Sequence, residues 1–305
     1  TNSAIFLSHR SIQGISNECV KISAEFQLPE CKPKMPTIGF IGGGNMAASL
    51  IGGLINAGMS ASDITVAEPD EERRQSLTGR FGINTCADNN TTLNCEIIVL
   101  AVKPQLLRQV CRQLDTTPQG QHLFISIAAG IRSTDINRWL KGGQAIVRCM
   151  PNTPALLQCG ASGLYANEIV SDSQKQQAEK IMQAVGIVIW VDDEDQLDAV
   201  TAISGSGPAY FFLMMEAMQQ AGESLGLDAG VTQQLVLQTA LGAARMALES
   251  DASASELRQM VTSKGGTTEQ AILSFQSADY NKIVLDALRA ANDRSISLAD
   301  ELGSE

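Results

Sequence analysis

The feature that most constrains this chain is the regular alternation, from Pro36 onward, of short apolar runs with helical patterns. "TIGFI" precedes "NMAASLIGGLINAG", "DITVAE" precedes "PDEERRQSLTGRF", "CEIIVLAV" precedes "PQLLRQVCRQL", "HLFISIAA" precedes "STDINRWLK", and "AIVRCM" closes the series. Such alternation marks right-handed βαβ units on a parallel sheet, because a parallel neighbour is reached only by a crossover. "ASGLYA", a helix near 172–184 and "GIVIWV" are expected to extend that sheet. After Asp195 the strand signal stops, and helical patterns follow at 208–226, 228–250, 253–261, 267–275 and 279–300. The expected class is therefore α/β: an N-terminal doubly wound parallel sheet of Rossmann type over 36–194, then an all-α domain over 195–305. Residues 1–35 have neither an apolar signal core nor an Arg-rich, acid-poor amphipathic pattern, and read as an extension outside the fold. Deleting 1–34 is expected to leave activity intact.

Charge and composition exclude several functions. A formal net charge of −11 repels phosphate backbones, so nucleic acid is not an expected partner. An anionic ligand has to be held by local devices such as helix N-termini. No apolar run approaches the roughly 18 to 20 residues of a membrane helix. The seven cysteines, Cys19, Cys31, Cys86, Cys95, Cys111, Cys149 and Cys159, show no C-x-x-C spacing and read as reduced thiols of a cytoplasmic protein. With only His9 and His122, no multi-histidine metal site or His-based triad is expected, and His122 reads as a strand-edge residue. The stretches "YFFLMMEAM" and "LVLQTALGAARMAL" are apolar round much of the helix circumference and need cover on several sides. A homo-oligomer supplies that cover; a self-contained bundle is the alternative.

Gly42, Gly44 and Ala47 form a G-x-G-x-x-A pattern directly after a strand and at the opening of a helix. The first glycine permits the tight turn, the second lets backbone approach a pyrophosphate, and the small third residue lets helix and strand pack closely. Gly42, Gly43, Gly44, Asn45, Met46 and Ala47 are the expected dinucleotide contacts. Glu68, about 20 residues on at the end of the second strand, suits an adenosine ribose and favours NADH. Arg73 and Arg74 could receive a 2′-phosphate but stand beside Asp70, Glu71 and Glu72, so NADPH stays open. Ala101, Lys103 and Pro104, in "LAVKPQ", end another strand and are expected to line the same crevice.

The stretch "TSKGGTTEQAI" at 262–272 raises a different expectation. Thr267 and Gln270 have capping-box spacing, and Gly265 and Gly266 allow backbone closed to other residues. The outcome is a helix N-terminus with hydroxyls of Thr262, Ser263, Thr267 and Thr268 nearby, which binds a carboxylate without a dedicated arginine.

The motifs "GFIGGGNMA", "AVKPQ", "CMPNTPA", "AVTAISGSGPAYFF" and "VTSKGGTTEQAI", in this order and spacing, resemble pyrroline-5-carboxylate reductase over about residues 36–300. The resemblance implies hydride transfer from NAD(P)H to the C=N carbon of 1-pyrroline-5-carboxylate, giving L-proline. It further implies intertwined dimers that in the family also build larger rings. By the same resemblance Thr268 hydrogen-bonds the ring nitrogen, Ser263, Gly265, Gly266 and Thr267 lie around the carboxylate, and Ser204–Tyr210 opens the first long dimer helix. One departure is Lys264, where family members usually have proline; it relaxes the restriction on Ser263 and adds a positive charge. Two rival readings fit the residues less well. A 3-hydroxyacid dehydrogenase needs a lysine on a helix of the second domain, and "GSGPAYFFLMMEAM" has none. A non-catalytic dinucleotide sensor would have no reason to keep the loop at 262–268.

Overall fold

The computed structural model describes residues 36–118 and 120–303, all within the compact unit Met35–Glu305. The extension 1–35, with Cys19, Cys31, His9 and the expected dispensability of 1–34, lies outside the described residues. Eight strands form one sheet: β1 (Ile38–Ile41), β2 (Ile64–Ala67), β3 (Asn84–Cys86), β4 (Ile97–Leu100), β5 (Leu123–Ser126), β6 (Ala145–Met150), β7 (Gly160–Ala166) and β8 (Gly186–Trp190), in the order β3-β2-β1-β4-β5-β6-β7-β8. The reversal of strand order on either side of β1 places a crevice between the carboxyl ends of β1 and β4. Helices α1 (Asn45–Asn56), α2 (Glu71–Phe81), α3 (Pro104–Gln113), α4 (Ser133–Trp139) and α5 (Asp172–Gln183) cover the faces.

Burial on both faces explains why the central strands read as unbroken apolar runs. Along β4, Ile97 and Val99 enter one core with Ile38, Phe40, Leu50 and Ile64, whereas Ile98 and Leu100 enter the other with Leu107, Phe124 and Trp139. Local signals fix the helix ends. Asp70 caps α2 by accepting from Arg73 N at 2.9 Å, and Ser171 and Gln174 form a capping box on α5.

The pair β7 and β8 extends the sheet as expected but runs antiparallel to β6. The cause lies in the connection. Between Met150 and Gly160 the chain makes only a short 3₁₀ turn at Thr153–Leu157, and without a helical crossover the next strand enters in the opposite direction.

Beyond β8 come α6 (Gln196–Val200), α7 (Gly207–Ser224), α8 (Ala229–Glu249), α9 (Ala254–Met260), α10 (Thr267–Ser277) and α11 (Tyr280–Gly303). Residues Thr201–Gly205 form a wide π-turn joining α6 to α7, with Ser206 N donating to Thr201 O at 2.8 Å. Such turns occur mostly within helices and frequently at functional sites. Helices α7 and α8 pack as an antiparallel hairpin. Their outer surface is apolar: Phe211 is 69% exposed, Leu213 67%, Leu235 54% and Leu241 55%. Among the described residues no helix is long and apolar enough to cross a membrane.

Candidate functional site

Three strand ends meet at the glycine turn. Gly42 N donates to Ala67 O and Ala101 N to Ile41 O, both at 2.8 Å. Gly42 has φ +98, and a Cβ there would come within 2.6 Å of Ala101 O, so no other residue fits both the conformation and the space. Ala101, Lys103 and Pro104 therefore border the turn from β4, with Lys103 exposed at the start of α3. The residue before α1 is Gly44, which has no side chain to satisfy the first-turn N–H groups, and a Cβ on it would meet nothing within 4 Å. An open helix N-terminus with free donors suits a dinucleotide pyrophosphate. Asn45 is exposed beside it, Met46 is half-buried and Ala47 packs into the core under the turn.

Glu68 stands at the end of β2, 6% exposed. Its Oε2 accepts from Gly43 N at 2.8 Å and its Oε1 from Asp70 N at 3.2 Å, so the carboxylate holds the glycine turn from within. The Arg73 guanidinium lies 3.6 Å from Glu68 Oε2. Arg74 turns back to the chain, donating to Glu68 O at 2.7 Å and Pro69 O at 2.8 Å.

A hollow lined by Asn152, Pro154, Ile203, Ser204, Phe211 and Phe212 opens between the Thr153–Leu157 turn and the π-turn with the start of α7. The Thr153–Leu157 turn beside it packs on α1, the helix that the glycine turn opens. Asn152 organises this wall. Its Nδ2 donates to Ser204 Oγ at 3.2 Å and Ser204 O at 3.3 Å, its Oδ1 accepts from Ala161 N at 2.9 Å, and Ser204 Oγ donates to Ala161 O at 3.1 Å.

The 262–268 loop departs from expectation in one respect. The N-cap of α10 is Gly266 and no side chain caps the helix, so Thr267 and Gln270 do not form a capping box. Thr267 is already the first helical residue, and its side chain cannot reach back to its own turn as a cap does. The side chain that reaches back into the loop is Glu269 and not Gln270, with Oε2 accepting from Gly265 N at 2.7 Å. Gly265 has φ +74, and Gly266 N donates to Ser263 O at 3.0 Å, which closes the loop. Thr262 Oγ1 donates to Arg258 O at 2.6 Å, while Ser263, Lys264, Gly265 and Thr267 are exposed and Thr268 is half-buried. The loop's hydrogen bonds are thus local, and α10 packs on α11.

The remaining titratable groups lie elsewhere. His122 Nδ1 is 3.0 Å from Cys95 O at the edge of β5, on the amino-end side of the sheet. Burial pushes the thiols of Cys111 and Cys149 up to about 12. Sequence reasoning missed a buried charged cluster built from Arg132, Arg148, Glu194 and Asp198 with Ser295. An acidic residue at a core position of "QLDAVTAI", between Leu197 and Ala202, was the available signal.

Comparison with known proteins supplies a frame. The model for pyrroline-5-carboxylate reductase dimerisation matches residues 194–298, and that for NADP oxidoreductase, coenzyme F420-dependent, matches 37–130. The pyrroline-5-carboxylate reductase of Pseudomonas aeruginosa is 52% identical over 269 residues, covering 88% of this chain and 98% of that protein. That of Haemophilus influenzae is 44% identical, covering 85% and 96%. Among solved structures, a pyrroline-5-carboxylate reductase from Coxiella burnetii superposes with a TM-score of 0.82 at 46% identity, covering 87% of this chain and 99% of that one. The Plasmodium falciparum pyrroline carboxylate reductase, solved with NADP bound, gives 0.78 at 29% identity, covering 87% and 99%.

Proposed function

The chain belongs to the pyrroline-5-carboxylate reductase family, and on that footing we propose which of its residues carry the reaction. It is an oxidoreductase that reduces the C=N bond of 1-pyrroline-5-carboxylate to L-proline, the last step of proline biosynthesis, with NADPH or NADH as donor. The dinucleotide, when bound, supplies the hydride. Residues 36–194 form the cofactor domain and 195–305 the substrate and dimerisation domain. Gly42, Gly43, Gly44, Asn45, Met46 and Ala47 receive the pyrophosphate at the start of α1, Glu68 lies by the adenosine ribose, and Ala101, Lys103 and Pro104 form the neighbouring wall.

The substrate carboxylate sits at the start of α10, among Ser263, Gly265, Gly266 and Thr267, and the Thr268 hydroxyl hydrogen-bonds the ring nitrogen. The observation that carries this reading is the α10 N-terminus itself: no side chain caps it, Gly265 bends the loop through positive φ, and the hydroxyls of Ser263, Thr267 and Thr268 stand beside it. First-turn N–H groups have no partner within the helix and, with the helix dipole, favour a carboxylate. An iminium carbon is already electrophilic, so the chain's task is to align the reactants and give the nitrogen a partner. Neither a histidine nor a buried catalytic carboxylate is needed. Lys264, exposed in the same loop, adds a positive charge near the anion.

Initial rates with 1-pyrroline-5-carboxylate, followed by nicotinamide absorbance with NADH and NADPH in parallel, test the assignment in the wild type and in Thr268→Ala. The variant is expected to lose on the order of ten- to a hundred-fold in kcat with dinucleotide affinity unchanged; full activity removes Thr268 from its role. The proposal extends to a cytoplasmic homodimer that assembles into a larger ring, supported by the dimerisation-domain match at 194–298 and the apolar outer surface of α7 and α8.

A further inference from the structure

We infer that the link from β2 to α2 is the specificity element of the dinucleotide site: it refuses a 2′-phosphate, so NADH is the preferred donor although either dinucleotide serves the reaction. The inference rests on the placement of the adenosine ribose beside Glu68.

Glu68 is 6% exposed and held through both oxygens, Oε2 accepting from Gly43 N at 2.8 Å and Oε1 from Asp70 N at 3.2 Å. A carboxylate only accepts, so it suits ribose hydroxyls, which donate, and has nothing to offer a phosphate, which accepts as well. Nor is this one free to swing aside. Moving it would release the glycine turn at Gly43, where Leu77 already crowds the backbone so closely that a Cβ would come within 2.7 Å of it.

A phosphate beyond the end of β2 would otherwise be held by the start of the next helix and by an arginine. Here both are committed. Asp70 Oδ1 accepts from Arg73 N at 2.9 Å, and Glu71 and Glu72 occupy the first turn of α2, so the positive end of the helix dipole faces three carboxylates of its own chain. Helix α1 is the opposite case within the same molecule: it starts after Gly44 with no side-chain cap and no acidic residue in its first turn. One helix start is open to the pyrophosphate, and the next is closed to a further anion.

The two arginines are placed accordingly. Arg74 Nη1 donates to Glu68 O at 2.7 Å and to Pro69 O at 2.8 Å, clasping the link, and would have to unmake it to reach an anion. Arg73 is more than half exposed, with its guanidinium 3.6 Å from Glu68 Oε2. At that separation the two charges offset one another, and a phosphate drawn to Arg73 is repelled by its neighbour.

Dissociation constants for NADH and NADPH, read by nicotinamide fluorescence on the full chain, test the inference. The wild type is expected to bind NADH at least about ten-fold more tightly than NADPH. The double variant Glu68→Gln with Asp70→Asn keeps an amide oxygen for Gly43 N and for Arg73 N, at the expense of the weaker Asp70 N contact, and removes two negative charges. Its NADPH Kd is expected to fall about ten-fold while that of NADH moves less than about three-fold, with the gain abolished by adding Arg73→Ala. Asp70→Asn alone, an equally good cap, guards against misfolding and is expected to give about a three-fold gain for NADPH. Equal or tighter binding of NADPH by the wild type overturns the inference. So does equal weakening of both dinucleotides in the double variant with no gain in Asp70→Asn, since the carboxylates would then only hold the turn. Binding is read without 1-pyrroline-5-carboxylate, so a chain that discriminates but does not turn over counts against the proposed reaction and leaves the selectivity standing.

Discussion

At the scale of single residues, the clearest energetic statement concerns two thiols. Cys111 and Cys149 are buried among apolar side chains, and burial disfavours the thiolate, raising both to about 12 from the ordinary 9.0. The native state therefore keeps protons that the unfolded chain releases above pH 9, and stability falls as pH rises from about 9 towards 12. The slope is about 1.4 kcal/mol per pH unit for each thiol. Urea unfolding from pH 8 to 10.5 is expected to show this loss in the wild type and a shallower one in Cys149→Ala; equal slopes would remove burial of the thiol as its cause. The residues of the glycine turn were legible because each answers to a single constraint, such as Gly42 at φ +98 against Ala101 O. Glu68 was only half legible: its position at the end of β2 was readable, but its bond to Gly43 N, which ties residues 25 apart, depends on the turn's three-dimensional path.

At the scale of elements, the strand–turn–helix from β1 to α1 is the most constrained unit. Gly42→Ala forces a Cβ to within 2.6 Å of the Ala101 carbonyl in a conformation that L side chains rarely adopt. The expected outcome is a shift of the turn that weakens NADH and NADPH alike by at least ten-fold, measured by fluorescence titration, since the pyrophosphate is common to both. A selective loss of one would move the site of discrimination from Glu68 to the turn. Strands and long helices were legible from periodicity, because each is buried on faces its own sequence specifies. The direction of β7 was not. It follows from the absence of a helix in residues 151–159, and a short proline-containing segment does not state which way the chain will return. The start of α10 at Thr267 was legible but its cap was not: a threonine three positions before a glutamine fits a cap, yet Gly266 takes that place.

At the scale of the whole molecule, the helical domain's exposed leucines demand a partner surface. Leu235, 54% exposed on α8, is expected to lie within the dimer contact. Replacing it with lysine removes about 2 kcal/mol of burial per site, and with one site on each subunit the dimer weakens on the order of a thousand-fold. Sedimentation velocity over a dilution series reads the shift, and rate per subunit measured over the same series is expected to fall with the dimer fraction. A dilution-independent dimer in the variant would place the interface elsewhere, and species heavier than a dimer in the wild type would reveal the ring.

The π-turn at Thr201–Gly205 also decides which way the hairpin faces. Asp198 and Ala202, one helical turn apart, point into the protein. Continued at 3.6 residues per turn, that inward line would pass beyond Gly205 through Ala209 and Leu213, yet both are exposed, whereas Tyr210 and Met214, one residue later, are half-buried. The wide turn thus acts as a phase shifter. It rotates everything downstream by about 100°, so that one continuous helical rod can present a carboxylate to its own core at one end and an aromatic stripe outward at the other.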